Sequence, residues 1–377
     1  MSGTDSDPQW AWLGLLKWSL SYSDGTRPSS ETVQMSAEDK KFLETVMKEG
    51  IIDENERMKE ILIDLTSALE VYKGISEGKE ELKQPDQDEL KDLLGELRDI
   101  VEQIDYARAF AAMKGFPFLL GCAQERTAVP RAIRIACLGV VATMCQNNPP
   151  LQMDLLEMGS IKILSDLYFK ESPTEEATDV DADGKMRARI VQALSANVRN
   201  HATAEQVFCS VQQAPSLMET ALGVHNGRPH HQTPLNLRKR ALFFLRALIT
   251  SDSSDRERVQ LFANSIQHIV DTHLDAEQNF EIRELSLELL NQILEQKLSV
   301  NVVLDNRINL TRTGAERTTE IESLTGEDLE FAQVELQHWQ TLISNLESAE
   351  PDQPQSQPTL LLANTSSLPA PPETLPQ

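Results

Sequence analysis

Four stretches of the chain carry one pattern, and that repetition limits the fold more than any other feature. They are "AIRIACLGVVATMCQNN" (132–148), "KMRARIVQALSANVRNH" (185–201), "NLRKRALFFLRALITSD" (236–252) and "EIRELSLELLNQILEQ" (281–296). Each opens with an apolar residue followed by arginine: Arg134, Arg187, Arg238 and Arg283, spaced 53, 51 and 45 residues apart. The two longer spacings are inflated by polar insertions at 171–185 and 225–236. After the first segment comes "PLQMDLLEMGSIKILSDLYF", which reads as a pair of shorter helices. Alternating Val/Thr/Tyr runs bounded by turn dipeptides, the mark of strands, are nearly absent.

A period in the forties with two or three helices per unit is the signature of armadillo or HEAT solenoids. No single unit can bury its own apolar face, so stability requires the stacked array. The fold class expected is therefore all-α, an armadillo-type helical-repeat solenoid with a flexible N-terminal segment and a disordered C-terminal tail. The expected organisation is a flexible segment and linker at 1–35, a helical region at 36–104, repeats at 105–300, a further helical region at 301–346 and a tail at 347–377. "SAEDKKFLETVMK" begins near a capping box, with Ser36 and Asp39. Leu90, Leu93, Leu94, Leu97, Ile100, Val101 and Ile104 fall on one helical stripe, and Gly115 and Pro117 punctuate the chain soon after it. The end of the chain, "ESAEPDQPQSQPTLLLANTSSLPAPPETLPQ", is rich in Pro, Gln and Ser.

Charge narrows the partners. Lys plus Arg number 35 and Asp plus Glu 59, a net charge of −24. Such a chain repels phosphate backbones and anionic head groups, so neither nucleic acid nor a membrane is an expected partner. No uninterrupted run of about 18 apolar residues suggests a spanning helix. Cys122, Cys137, Cys145 and Cys209 form no CxxC pair and no zinc spacing, and read as reduced, buried thiols. A cytoplasmic chain is expected, with a nuclear pool as an alternative.

Catalytic motifs are missing: no GxxxxGK[ST], GxSxG or HExxH occurs. The chain is expected not to be an enzyme and to need no cofactor or metal. "DVDADGK" imitates the start of an EF-hand loop with Asp179, Asp181, Asp183 and Gly184, but Ile190 stands where a bidentate glutamate is required. "HNGRPHH" holds His225, His230 and His231 without a carboxylate or thiol at ligand spacing. Both read as solvated insertions.

The repeats offer a face instead. In 186–200, Ile190, Val191, Leu194 and Val198 mark the buried stripe, and Gln192, Ser195 and Arg199 lie opposite. The matching columns are Gly139, Ala142 and Gln146 in the preceding repeat, and Phe243, Arg246 and Thr250 in the following one. Side-by-side stacking of third helices lines a groove with these columns. Small residues would leave room for a partner, and arginines would offer bidentate donors to its carboxylates.

Three of four tryptophans, Trp10, Trp12 and Trp18, crowd "WAWLGLLKWSLSYSDGT". Its part "LLKWSLSYSDGT", with "SAEDKKFLETVMK", "EQIDYARAFAAMKGFPFLLG", "CQNNPPLQ", "ALSANVRNH" and "LRKRALFFLRALI", resembles the Fes-type heat shock protein 70 binding proteins, over roughly residues 10–300. The resemblance implies an armadillo nucleotide-exchange factor, a co-chaperone that grips the nucleotide-binding domain of heat shock protein 70 and loosens its hold on ADP. Gln146, Asn147, Gln192, Arg199, Asn200 and Arg246 are then the expected chaperone contacts. The implied role of Trp10, Leu13, Leu16, Trp18 and Leu20 is that of a substrate mimic that enters the chaperone's peptide groove. Two other readings of that stretch are a helix docked on the array and a membrane-interface helix. A monomer is expected. The competing function is an armadillo scaffold for an extended peptide, which in nuclear-import adaptors uses ladders of Trp and Asn; here no tryptophan lies between Trp18 and Trp339.

Overall fold

The protein is described from a computed structural model covering residues 37–38, 40–41, 53–79, 82–172, 184–225, 228–229, 233–275 and 278–352. The tryptophan-rich segment, residues 173–183 of the first insertion, residues 226–227 and 230–232 of the second, and the tail from 353 onward lie outside the described residues. So do Ser36 and Asp39 of the expected capping box, although Ala37, Glu38, Lys40 and Lys41 beside them are helical. The chain divides into two compact units, Met1–Ser254 and Asp255–Gln377.

The first unit opens with two helices, α1 (Glu54–Ser76) and α2 (Gln87–Ile100). Each starts where an aspartate, Asp53 or Asp86, accepts hydrogen bonds from two backbone N–H groups of the first turn. Three repeats of three helices come next. They are α3 (Ile104–Ala112), α4 (Gly115–Gln124) and α5 (Arg131–Cys145); α6 (Pro149–Glu157), α7 (Ser160–Lys170) and α8 (Lys185–Val198); and α9 (Ala202–Ser210), α10 (Ala214–Leu222) and α11 (Leu235–Thr250). The third helices α5, α8 and α11 pack side by side, with α2 flanking α5. Between α10 and α11 sits a two-residue antiparallel pair, β1 (Val224–His225) and β2 (Arg228–Pro229).

Turn chemistry sets the repeat geometry. Lys114 and Gly159 take left-handed conformations between first and second helices, and Asn147 and Asn200 do so after third helices. Asparagine tolerates positive φ better than other non-glycine residues, so each "RNH" or "QNN" is a built-in stop. The expected leucine stripe holds through Val101 but not at Ile104, which is exposed because the chain turns after Ile100 and begins α3.

The second unit has the same design. α12 (Arg256–Leu261), α13 (Ala263–His268) and a π-helical turn (Ile269–His273) precede the long α14 (Phe280–Gln296). Then come α15 (Asn301–Leu304), α16 (Arg307–Glu322) and α17 (Glu327–Ser348), with α17 packed along both α14 and α16. The third helices α14 and α17 thus lie side by side, and Trp339 is buried in this unit's core.

Three of the four recurring arginines are structural. Arg134 Nε donates to the Ala123 carbonyl near the end of α4 (2.9 Å), and its Nη2 meets Glu171 (2.5 Å). Arg187 bonds the Tyr168 hydroxyl. Arg283 pairs with Glu335 through two bonds of 2.9 and 2.7 Å. Each ties the start of a third helix to neighbouring elements, and satisfying a buried guanidinium in this way is a precondition for its burial.

Candidate binding face on the third helices

The face predicted from columns of α5, α8 and α11 exists, but it is less open than expected. Ser195 is only 4% exposed, and Gly139 and Ala142 are buried as well. The reason is stacking: a middle third helix is covered on both flanks, so little of α8 remains for solvent. The space beside Gly139 is occupied. A Cβ built there would lie 3.7 Å from the Arg189 guanidinium, so this chain's own arginine fills the room assigned to a partner.

Between these helices lies a pocket of about 150 Å³. α5 and its end supply Ala142 and Gln146; α8 and its end supply Gln192, Ser195, Ala196 and Arg199; α11 supplies Arg240 and Phe243. The Arg199 guanidinium carbon sits over the Phe243 ring, 4.6 Å from its centroid, and Arg246 approaches the same ring at 5.7 Å. Arg189 donates to the Gln192 amide oxygen at 2.7 Å.

Two buried residues fix the turn that presents Arg199. Gln152, on α6, donates through Nε2 to the carbonyls of Ala196 (2.8 Å) and Arg199 (2.9 Å), closing the C-terminal end of α8. Glu205, on α9, accepts from the Asn200 backbone N–H (3.2 Å) and from the hydroxyls of Ser251 (2.6 Å) and Ser253 (2.5 Å). A single buried carboxylate thereby joins the end of α8 to the end of α11.

The electrostatics of this face are those of crowded cations. Burial lowers the pKa of Arg199 from its ordinary value, with Arg246 adding to it. Burial does the same to Arg189, reinforced by Arg240 and Arg98, and to Arg240. A face of clustered guanidinium groups on a chain of net charge −24 is a local reversal of sign.

Of the residues predicted for contact, Gln146, Gln192 and Arg199 line the pocket, and Arg246 lies at its edge on Phe243. Asn147 and Asn200 are exposed and hold left-handed turns at φ of 54° and 59°. Arg189 and Arg240 are not among the expected contacts, nor is Phe243 beyond its column; each sits one helical turn from a residue of the predicted columns. Gln152 and Glu205 give no signal in the sequence, because a lone polar residue in a short helix looks solvated until its partners arrive. Trp10, Leu13, Leu16, Trp18 and Leu20 lie outside the described residues.

With the helical face and its clustered arginines established, comparison with known proteins bears on what it serves. Residues 13–110 match the family of the nucleotide exchange factor Fes1. The match begins after Trp10 and Trp12, takes in Trp18, α1 and α2, and ends inside α3, short of the helices that line the pocket. No curated protein matches the chain. Among solved structures, an engineered protein aligns with a TM-score of 0.50 at 12% identity, over 75% of this chain and 99% of that one. A designed armadillo repeat protein gives 0.48 at 15% identity, over 74% and 98%. The armadillo repeats only protein of Plasmodium falciparum gives 0.43 at 14% identity, over 64% and 98%. At such identities the likeness concerns fold alone. Among the described residues no cluster of three or more His, Cys, Asp or Glu is placed to hold a metal, and no helix is long and apolar enough to cross a membrane. The "DVDADG" aspartates and His230 and His231 lie outside the described residues.

Proposed function

We propose that the chain is a cytoplasmic nucleotide-exchange factor that binds the nucleotide-binding domain of heat shock protein 70, promotes ADP release and so releases the client. The observation that carries this reading is the match of residues 13–110 to the Fes1 exchange-factor family. The helical-repeat fold supports it, since a stack of third helices offers a long rigid face and no catalytic constellation is needed. Such a factor works by binding energy alone. It accelerates ADP release only by binding the open chaperone lobe more tightly than the closed, ADP-bound one. Reciprocity then makes nucleotide weaken its binding by the same factor.

In this reading the face of α5, α8 and α11 holds the chaperone domain, with Gln146, Gln192, Arg199 and Arg246 in contact and Asn147 and Asn200 shaping the rim. The segment holding Trp10, Leu13, Leu16, Trp18 and Leu20 then occupies the chaperone's peptide groove. The protein acts as a monomer without a cofactor.

Stopped-flow release of a fluorescent ADP analogue from heat shock protein 70 tests this directly, using the full chain and a variant lacking residues 1–35. Acceleration by both is expected, with client release impaired only in the shortened chain. An armadillo scaffold for an unrelated peptide would leave the ADP off-rate unchanged, and that result would overturn the proposal.

A further inference from the structure

Among the described residues, some buried or half-buried guanidinium groups meet a buried carboxylate and others do not. Arg134, Arg283 and Arg317 each meet a buried carboxylate, Glu171 or Glu335, at 2.5, 2.7 and 2.8 Å respectively. Arg199 and Arg240, half-buried on the pocket between α5, α8 and α11, meet none among the described residues. Arg199 Nε is buried without a hydrogen-bond partner there. The hydroxyl of Ser195, a residue 4% exposed that lines the same pocket, is also without one. Leaving such donors unsatisfied costs free energy in the unbound protein; the guanidinium groups of Arg199 and Arg240, which line the pocket, meet no carboxylate among the described residues that would compete with an anionic ligand.

The chemistry of that ligand is set by the lining. The donors are two guanidinium groups, of Arg199 and Arg240. The Gln192 amide oxygen is already engaged by Arg189, which orients the amide's N–H side toward other acceptors. The neighbouring cations raise the local potential. A volume near 150 Å³ suits one small anionic group. Guanidinium forks match planar carboxylates bidentately. Phe243 forms one wall and keeps Arg199 extended over its ring instead of trailing into solvent.

We propose that this pocket is a receptor for a single carboxylate side chain, an Asp or Glu presented by the bound partner, with Arg240 and Arg199 as its cations and Phe243 as the positioning wall. This rests on the reading that the third-helix face is where the partner docks. It adds to that reading two residues, Arg240 and Phe243, and a requirement: the partner's docked surface places an acidic side chain opposite the middle repeat of the first unit. The carboxylate comes from the folded surface of that partner, and capture of a linear acidic segment instead is an outcome the test separates.

The test uses the full chain, the variant R199Q/R240Q and the charge-conserving R199K/R240K, with helical circular dichroism and thermal midpoint as folding controls. Two probes are titrated: a fluorescein-labelled hexaglutamate peptide, with hexaglutamine as its control, and the isolated nucleotide-binding domain of heat shock protein 70. The expected result is at least a tenfold loss of chaperone-domain affinity in R199Q/R240Q, partly restored in R199K/R240K. Saturable hexaglutamate binding that disappears in R199Q/R240Q would assign the pocket to a linear acidic segment. Loss of chaperone-domain binding without peptide binding would assign it to a folded surface. Wild-type affinity of R199Q/R240Q for the chaperone domain would overturn the carboxylate receptor and leave the exchange function standing. Pocket-dependent hexaglutamate binding with no chaperone-domain binding by the full chain would do the reverse.

Discussion

Arg199 at the end of α8 stands over the ring of Phe243 on α11, 4.6 Å from its centroid. That contact spans two repeats, so the orientation of this cation depends on a side chain 44 positions later. Arg246, one turn after Phe243, shares the ring from 5.7 Å. A half-buried phenylalanine flanked by two guanidinium groups is an expensive arrangement for a solvated surface and a sensible one for a face that binds anions.

Replacing Phe243 by alanine removes the wall and frees Arg199. The expected stability loss is modest, about 1 kcal/mol beyond the lost apolar contact. Chaperone-domain affinity measured by calorimetry should fall severalfold, whereas Phe243→Tyr should keep both. Equal affinity for F243A and wild type would show that the ring does not position Arg199 for binding.

Glu205 makes a second test, because it acts only through others. It is 1% exposed and holds Asn200, Ser251 and Ser253 together. Glu205→Ala leaves the Asn200 N–H and the two hydroxyls in search of acceptors, at a cost of about 2 kcal/mol. Amide hydrogen exchange at Asn200 and in the turn after α11 should quicken far more than in α4 or α5. Uniform acceleration across the unit would mean that Glu205 stabilises globally and does not pin this turn.

How far the sequence foretold this depends on which contacts are local. Four of the five third helices were legible because their apolar spacing and opening arginines repeat, and each of Asn147 and Asn200 marks a helix end by its own backbone preference. The column holding Gln192 and Arg199 was legible for the same reason. What escaped was decided across repeats. Ser195 is buried by α5 and α11, which a single helical wheel does not contain. Arg134 and Arg187 look alike in sequence, yet one meets Glu171 and the other Tyr168. Arg240 became a pocket residue only once α11 was laid against α8.

In the second unit, close approach of α16 and α17 depends on Gly314. A Cβ there would lie 2.9 Å from Trp339 Cε3 and 3.1 Å from Ile343 Cδ1. Trp339 is buried and fills this core, so it has little freedom to withdraw. Gly314→Ala gains helix propensity but should still destabilise the unit by about 1–3 kcal/mol through overpacking. Thermal unfolding followed by helical circular dichroism measures it; a raised midpoint would show that the ring yields.

Glu335 supplies the pH dependence. It is 1% exposed, and Arg283 and Arg317 both reach it, at 2.7 and 2.8 Å. Burial pushes its pKa up, but hydrogen bonds from Arg317 and Arg283 outweigh that and hold the carboxyl below its ordinary value. A depressed folded pKa gives stability that is present above the unfolded value, about 4.3, and is lost as pH falls through the lower folded one. The unit should therefore hold its α14 and α17 amide protection at neutral pH and lose part of it in that acidic window. Glu335→Gln strands two buried guanidinium groups and should cost about 3 kcal/mol at pH 7. It should also remove this carboxyl's share of the acid sensitivity, so that the wild-type advantage in protection shrinks as pH drops below about 4. A constant difference between wild type and E335Q from pH 7 to pH 3 would mean that the Arg283–Glu335–Arg317 cluster is not what acid breaks.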